Sequence, residues 1–382
     1  MKALRRSIFA VIAAALTASP SLLGAQAPDQ FHSPHQPGAV FIMTNAAATN
    51  EVIAFRRASD GRLYDPDRYE TGGRGSGGLT DPLESQGSLT LSQNHSFLFA
   101  VNAGSGSVSV FRVRGAQLFL VDRTPSGGSQ PVAVTQSKDL VYVLNSGGSG
   151  SVVGFRFNER GQLTQIQNST MFLSANATGG SSIVISPDGQ FLAVTERLAN
   201  LIDIFRIMAD GTLTPIAENP SPVPGTFAAR FAPEGSLIVS ETGPAGVTNG
   251  STISSYAVLA SGNLSAVSQG VPTFGTANCW NAITPDGKRV YVSNAGSANI
   301  SGFAIASNGA LSPIGSTVVG SNPEGSTNLD IAITADGRYL YSLNSGTGTV
   351  GIFAVEQNGT LKNIGDAGEF PAKSGFNGIA TF

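Results

Sequence analysis

The chain has 382 residues, 41% of them hydrophobic, so it is long enough to bury a large core. Its 22 Lys and Arg residues and 25 Asp and Glu residues nearly cancel, at a formal net charge of -3, which argues against a nucleic-acid or membrane-surface partner attracted by bulk charge. Only 12% of the residues are charged while 47 are Gly, so we expect turns and short strands rather than long solvated helices.

The N-terminal segment, residues 1–27, has the pattern of a signal peptide. Three basic residues precede a short apolar stretch, and a small-residue pattern typical of cleavage ends at Ala27. The apolar stretch is shorter than the roughly 20 residues that a membrane-spanning helix needs. We therefore expect an exported protein, periplasmic or secreted, that is not an integral membrane protein, with residues 28–38 as a Pro-rich linker.

One short unit then recurs along the chain. Each copy has an apolar strand that ends in Asn or Glu, a turn of small residues, and an alternating strand that contains an aromatic residue. Alternation with a period of two is typical of half-buried strands. The seven apolar strands are residues 41–45, 98–102, 141–145, 192–196, 237–241, 290–294 and 340–344.

Two further strands complete the unit. A third strand begins with the pattern G-x-L, and a fourth ends in a tight turn such as the one at 284–287. Four antiparallel strands repeated seven times predict an all-β fold, a seven-bladed β-propeller that spans residues 39–382 as one domain. Because the chain enters without an innermost strand and finishes on an unmatched one at 376–382, the C-terminal strand should complete the first blade.

A glycine-rich segment, Gly73-x-Gly75-x-x-Gly78, has the spacing of dinucleotide-binding loops. That chemistry needs a helix directly after the loop, and here Pro82 and another strand follow, so we expect no cofactor. The loop falls where an outermost strand connects to the innermost strand of the next blade, on what we call the upper face. With Arg74 and Asp81 it is a candidate ligand-binding element, and the alternative is a loop that packs over the next blade.

Two carboxylates interrupt the repeated Asn at the strand ends. They are Glu196, which Arg197 follows, and Glu241 in the next blade. A carboxylate can bind the backbone of the turn as Asn does, which would make both residues structural. Two neighbouring carboxylates can also raise each other's pKa or hold a cation. Glu196, Arg197 and Glu241 are therefore the predicted catalytic residues.

Other catalytic chemistry has few candidate residues. Two of the three His lie in the tail, His32 and His35, and His95 lies in a turn on the opposite, lower face. No spacing of zinc ligands occurs in the sequence, so no metal site is predicted. The single Cys, Cys279, excludes an intrachain disulfide.

An innermost strand near the channel carries the only Trp in the chain, Trp280, followed by Asn281. The indole could stack on a sugar ring, although Trp and Cys side chains are more often part of a core. We include Trp280 and Asn281 among the predicted ligand contacts, together with Asn294 at the end of the next strand.

The repeated P-D-G turns, the Y-V-x-N strands and the G-x-L strands resemble the lactonase-type propeller family, over residues 39–382. This family includes 6-phosphogluconolactonase and carboxymuconate cyclase, so the resemblance implies action on the lactone ring of a sugar-acid or muconate-type compound. The chain departs from the family pattern at its G-P-R-H element, where Ser181 and Ser182 stand for Arg and His. A later S-N-R-G element lacks its Arg at Ala295.

Three functions remain open from the sequence, and whether the protein is an enzyme is one of the open points. The first is an exported lactonase-like hydrolase or cyclase that uses a rearranged carboxylate site. The second is a non-catalytic propeller that binds a carbohydrate, a small molecule or a protein through its upper-face loops. The third is a scaffold with a protein partner.

Overall fold

The computed structural model describes residues 38–175 and 177–382. The predicted signal peptide, nearly all of the linker, and the tail residues His32 and His35 lie outside these ranges and stay predictions. The described ranges fall within one compact unit. No helix in them is long and apolar enough to cross a membrane.

The described chain forms seven antiparallel sheets, which confirms the predicted seven-bladed β-propeller. In blades 2 to 7 the chain runs from the innermost strand outward and then crosses to the next blade. Blade 1 contains β1 (Ala39–Met43), β2 (Glu51–Arg57), β3 (Leu63–Glu70) and the last strand, β29 (Asn377–Thr381). Blade 2 contains β4 (Leu89–Leu91), β5 (Phe97–Asn102), β6 (Ser107–Arg114) and β7 (Gln117–Pro125).

Blade 3 differs from the others because two short strands, β11 and β12, both pair with β10 and share the outermost position. Its strands are β8 (Pro131–Ser137), β9 (Leu140–Asn145), β10 (Ser151–Phe157), β11 (Leu163–Gln165) and β12 (Met171–Phe172). Blade 4 contains β13 (Gly180–Ile185), β14 (Phe191–Glu196), β15 (Leu201–Ile207) and β16 (Leu213–Pro220).

The last three blades have four strands each. Blade 5 contains β17 (Thr226–Phe231), β18 (Leu237–Glu241), β19 (Thr252–Val258) and β20 (Leu264–Pro272). Blade 6 contains β21 (Asn278–Ile283), β22 (Arg289–Asn294), β23 (Asn299–Ile305) and β24 (Leu311–Ser321). Blade 7 contains β25 (Asn328–Ile333), β26 (Tyr339–Asn344), β27 (Thr349–Val355) and β28 (Leu361–Ala367).

The two ends of the propeller meet in blade 1, as the sequence predicts. Strand β29 pairs with β1 in antiparallel register, with Phe41 opposite Ala380 and Ile42 opposite Ile379. The side chain of Ile379 is buried. Because β29 covers the inner edge of β1, the ring has no free strand edge at this point.

The core lies between neighbouring blades. The aromatic residue of each alternating strand is buried there: Phe55, Phe111, Phe155, Phe205, Tyr256, Phe303 and Phe353. Tyrosine hydroxyls tie some blades together, as where Tyr341 of blade 7 donates to the carbonyl of Gly61 in blade 1 at 2.8 Å. Gly61 has a φ of +87° and a Cβ there would lie 2.3 Å from the Tyr339 ring, so only glycine fits this turn.

The repeated Asn at the strand ends organises the upper face. Asn102, which is fully buried, donates to the hydroxyls of Ser107 and Ser109 at 3.2 and 2.8 Å. Its Oδ1 accepts hydrogen bonds from Thr71 at 2.6 Å and from Asn50 at 3.0 Å. One amide side chain therefore joins a turn to the adjacent blade, and its partners are side chains rather than the backbone of the turn that the sequence predicts.

Candidate functional site

The glycine-rich loop is packed between blades 1 and 2. A Cβ on Gly75 would lie 2.1 Å from the carbonyl oxygen of Asn45, and the Gly75 amide donates to the Ala46 carbonyl at 2.8 Å. The glycines thus permit two backbones to approach closely. The loop leads to β4 rather than to a helix, so it lacks the helix N-terminus that binds phosphate.

The same connection continues into the channel, where residues 83–86 close its upper end. We call this segment the plug. The Trp280 indole donates to the Ser85 carbonyl at 2.9 Å, and the backbone amide of Gln86 donates to the Ser181 carbonyl at 2.9 Å. The loop therefore reaches across the ring to blades 4 and 6, which neither of the two sequence interpretations anticipated.

The Gln86 side chain anchors the plug to two more inner strands. Its Nε2 donates to the Asn281 carbonyl at 3.0 Å and to Oδ1 of Asp330 at 2.7 Å. Burial raises the pKa of Asp330 to about 6, against the lowering effect of the Arg230 charge. Arg230 also bonds to this strand, since its Nε donates to the Asn281 carbonyl at 3.0 Å. Gln86, Arg230 and Asp330 thus form a polar layer beneath the plug backbone.

The plug covers the predicted ligand contacts of the innermost strand. Trp280 is 1% exposed and packs edge-on against Phe227, with ring centroids 5.2 Å apart. Asn281 is fully buried and its amide donates to the Ser240 hydroxyl at 3.1 Å. Both side chains would contact a ligand only after the plug moved, so their binding role stays a prediction.

Two other predicted ligand contacts, Asn294 and Arg74, do not contact the plug. Asn294 is buried and donates to Asn299 and Ser301 within its own blade, as the repeated Asn does elsewhere. Arg74 is exposed in the glycine-rich loop, and its backbone amide donates to the Ser105 hydroxyl at 3.0 Å.

Glu196 is fully buried at the end of β14, between blades 3 and 4. Its two carboxylate oxygens accept from Ser174, one from the backbone amide at 2.8 Å and one from the hydroxyl at 2.5 Å. Asp203 lies next to it on β15, also buried. The pKa of Asp203 is raised well above the ordinary range by burial first, and then by the neighbouring Glu196 carboxyl group. The Asp203 carboxyl group therefore retains its proton at neutral pH.

Glu241 occupies the equivalent position in blade 5 and is also fully buried. Its Oε2 accepts from the Thr252 hydroxyl at 2.5 Å, and burial raises its pKa to about 7. Each of the two glutamates has partners of its own, and no contact joins them within the described ranges. Their predicted catalytic role would require the loops above them to open.

Three charged side chains do meet at the upper mouth of the channel. Arg197 forms an ion pair with Glu84 of the plug. Oδ1 of Asp81 accepts from the Asn377 side chain at 2.9 Å and from the Glu84 amide at 3.1 Å. Burial raises the pKa of Asp81 to about 7, and the charge of Glu84 adds to this effect. Oδ2 of Asp81 accepts no hydrogen bond from any described residue.

Cys279 lies close to this cluster but is not a nucleophile in this environment. The side chain is buried, and burial raises the pKa of its thiol well above the ordinary value. The negative charge of Asp81 raises it further. The thiol therefore stays protonated at neutral pH. In the part of the chain that the structure describes, no group of three or more His, Cys, Asp or Glu residues could hold a metal ion.

Sequence reasoning missed the polar layer of Gln86, Arg230 and Asp330, and also the buried Asp203. A signal was present for three of them, since Asp203, Arg230 and Asp330 are charged residues with apolar neighbours inside predominantly apolar strands. A charge at such a position is rarely buried without a partner. Gln86 gave no signal, because nothing in the sequence indicates that its loop enters the channel.

Comparison with known proteins identifies relatives of this fold. The family model for a lactonase with a 7-bladed β-propeller matches residues 39–170, 132–279 and 251–374. A candidate 6-phosphogluconolactonase from Bacteroides fragilis has a TM-score of 0.68 at 20% sequence identity, over 92% of this chain and 99% of that one. The periplasmic gluconolactonase PpgL of Pseudomonas aeruginosa has a TM-score of 0.67 at 18% identity, over 89% and 98% of the two chains. No curated protein sequence matches the chain. At such identities the structural likeness shows the fold alone.

Proposed function

Since the chain belongs to the lactonase family of seven-bladed β-propellers, we propose that it hydrolyses a lactone ring at the upper mouth of its channel, with Asp81 as the general base. The observation that supports this most directly is the state of the Asp81 carboxyl group. One oxygen is fixed by two hydrogen bonds, the other accepts none among the described residues, and the pKa is about 7. A base is most effective when its pKa lies near the working pH.

The reaction needs a base for water and a positive charge for the developing oxyanion. Ionised Asp81 removes a proton from water as the oxygen of that water adds to the lactone carbonyl carbon. The tetrahedral oxyanion forms near the Arg197 guanidinium, which stabilises its charge. When the ring C–O bond breaks, the leaving oxygen takes the proton from Asp81, and the products are a carboxylic acid and an alcohol on one molecule.

Arg197 is suited to this role because Glu84 holds it in place. Its side chain is 21% exposed, so it reaches the mouth, and its Nε is buried with no hydrogen-bond partner among the described residues. A buried donor without a partner is costly, and a substrate oxygen would satisfy it. Ser181 and Ser182, at the positions of the family's Arg and His, are buried beside the plug, so this proposal moves the chemistry from those positions to the mouth.

The substrate class and the location belong to the same proposal. The family resemblance favours a lactone of a sugar acid or a muconate-type compound. The N-terminal signal-like segment favours export, and a periplasmic gluconolactonase among the structural neighbours is consistent with that location. Glu196 and Glu241 would then act as buried structural groups, and only Asp81 and Arg197 would contact the substrate.

The test is proton release in a pH-stat with a panel of aldonolactones and muconolactones. We expect the kcat/KM of the wild type to rise through about pH 7 and to reach a plateau above it, because Asp81 must be ionised to act. Asp81→Asn should lower kcat by about 10²- to 10⁴-fold, the range typical of general-base removal. Arg197→Ala should lower kcat more than it raises KM.

Asp67→Asn is the matched control, because Asp67 is an exposed aspartate on β3, away from the mouth. It should keep wild-type turnover. Equal turnover by Asp81→Asn and the wild type, with both folded as judged by thermal unfolding, would refute the role of Asp81. Stabilisation by a lactone without any turnover would instead indicate a binding protein.

A further inference from the structure

Below the plug, the central channel opens towards the lower face as a cavity of about 390 Å³. Innermost strands of blades 1, 2, 5, 6 and 7 form its walls, and turns such as the one at Thr284 and Pro285 form its rim. The walls are mixed: aliphatic side chains such as Leu91, Ile331 and Ile333 lie beside polar ones such as Thr90 and Ser92. A volume of this size suits a small organic molecule.

Among the residues that the structure describes, Arg230 is the only Lys, Arg, Asp or Glu that lines this cavity, and His95 lies on its rim. Its Nε is fixed to the Asn281 carbonyl at 3.0 Å, which orients the guanidinium. The two terminal nitrogens, Nη1 and Nη2, have no hydrogen bond or ion pair with any residue that the structure describes. A guanidinium so placed presents two parallel N–H donors, the pair that matches the two oxygens of a carboxylate.

Asp330 acts on Arg230 electrostatically but does not form an ion pair with it within the described ranges. Its Oδ1 accepts from Gln86, and its Oδ2 accepts from the Ile379 amide at 3.4 Å, so both oxygens are engaged elsewhere. This nearby negative charge reduces the cost of burying the guanidinium. It also disfavours a doubly charged ligand such as a phosphate, which would be repelled by the Asp330 carboxylate.

We propose that the lower channel is a second ligand site, which binds a small molecule with one carboxylate group on an apolar body. The carboxylate pairs end-on with the Arg230 guanidinium, and the apolar part contacts aliphatic side chains of the wall such as Leu91 and Ile331. The plug separates this site from the mouth where Asp81 and Arg197 lie. The inference therefore does not depend on the proposed lactone hydrolysis, and binding at the lower face can be measured without turnover.

The experiment is calorimetric titration of the folded protein with 3-phenylpropanoate and with its neutral amide, 3-phenylpropanamide, at pH 7.5 and low salt. The two probes share the apolar body and differ in the charge that Arg230 would recognise. We expect the acid to bind at least about tenfold more tightly than the amide, as a charge-assisted pair in a partly dry site implies. Arg230→Gln should reduce acid binding to the level of the amide.

Two further variants complete the test. Arg112→Gln is the matched control, because Arg112 lies on β6, outside the cavity, and it should leave both affinities unchanged. Ala332→Phe keeps Arg230 but fills the cavity, so it should abolish the binding of both probes. Equal affinities for the acid and the amide in the wild type would overturn the proposal without recourse to any variant. Acid binding that survives Arg230→Gln would also overturn it.

Discussion

At the scale of single residues, the same position in successive repeats carries different chemistry. Asn102 connects its neighbours with one neutral amide, whereas Glu196 does so with a carboxylate that lies against the buried Asp203. Two buried carboxyl groups in contact cannot both ionise at low cost. The native state therefore retains a proton that the unfolded chain releases above its ordinary carboxyl pKa of about 4.

This retained proton predicts a pH dependence of stability. Between about pH 5 and pH 8 the native state binds more protons than the unfolded state, so the free energy of unfolding should fall as the pH rises, and Asp203 contributes at most about 1.4 kcal/mol per pH unit to this slope beside Asp81, Glu241 and Asp330. Asp203→Asn removes one of these titrating groups, so it should make the slope less steep and stabilise the protein at pH 8. Urea unfolding at several pH values measures both effects.

The control for this prediction is again Asp67→Asn, which removes an exposed carboxylate of the same type. It should leave the pH dependence unchanged. Equal slopes for Asp203→Asn and the wild type would show that Asp203 releases its proton in the native state.

At the scale of elements, the strand that matters most is β29. It supplies the innermost position of blade 1, and the Asn377 side chain bonds to Asp81 of the loop while the Ile379 amide bonds to Asp330 of blade 7. One strand thus joins the first blade, the last blade and the loop above the channel. The local sequence predicts this strand, but not its contacts with Asp81 and Asp330, because those contacts form only when the ring closes.

Deletion of residues 376–382 should therefore destabilise the whole ring, because it exposes the inner edge of β1 and removes the buried side chains of Phe376 and Ile379. We expect a clear loss of cooperative unfolding and a lower thermal midpoint. Differential scanning calorimetry measures both. A truncated protein that melts at the wild-type temperature would refute this.

A milder variant covers the case in which the truncated chain does not fold. Ile379→Ala should lower the free energy of unfolding by about 2 to 4 kcal/mol, the usual range for a large-to-small change in a core. Leu120→Ala is the matched control, since Leu120 is 46% exposed on the outermost strand of blade 2. Its effect should be within about 0.5 kcal/mol.

At the scale of the whole molecule, the plug divides one channel into two environments. On its upper side Asp81 and Arg197 meet Glu84 of the plug, and below it lies the cavity with Arg230. Gln86 forms the boundary through its bonds to blades 6 and 7. The separation is a property of the ring, because these strands are distant in sequence and meet only around the channel.

Trp280 provides a direct measurement of the plug, since it is the only Trp in the chain and donates to the Ser85 carbonyl. Gln86→Ala removes the anchor and leaves Asp330 with one hydrogen bond fewer, at a cost of about 1 to 3 kcal/mol. We expect the Trp280 emission to shift to longer wavelength and its quenching by acrylamide to increase. Gln93→Ala, on the exposed lower face, should change neither. Unchanged quenching in Gln86→Ala would show that the backbone contacts alone hold the plug.

The periodic features of the fold could be predicted from the sequence. Strand alternation, the turns with P-D-G and the unmatched last strand specify the seven blades and their closure, because these signals are local and repeat. Part of the site was also predictable: Asp81 and Arg197 were expected on the upper face, and both lie at the mouth, although their roles stay predictions.

What only the tertiary structure decided is which side chains meet around the channel. The sequence by itself determined the repeat, the strand order and the residues that face a neighbouring blade, because each depends on spacing within a single unit. Arg197 pairs with Glu84 rather than with Glu196, and Gln86 reaches Asp330, across separations of 113 and 244 residues. Such contacts leave no pattern in a local stretch of sequence, because they arise only when the ring closes and brings the ends of all innermost strands to one axis.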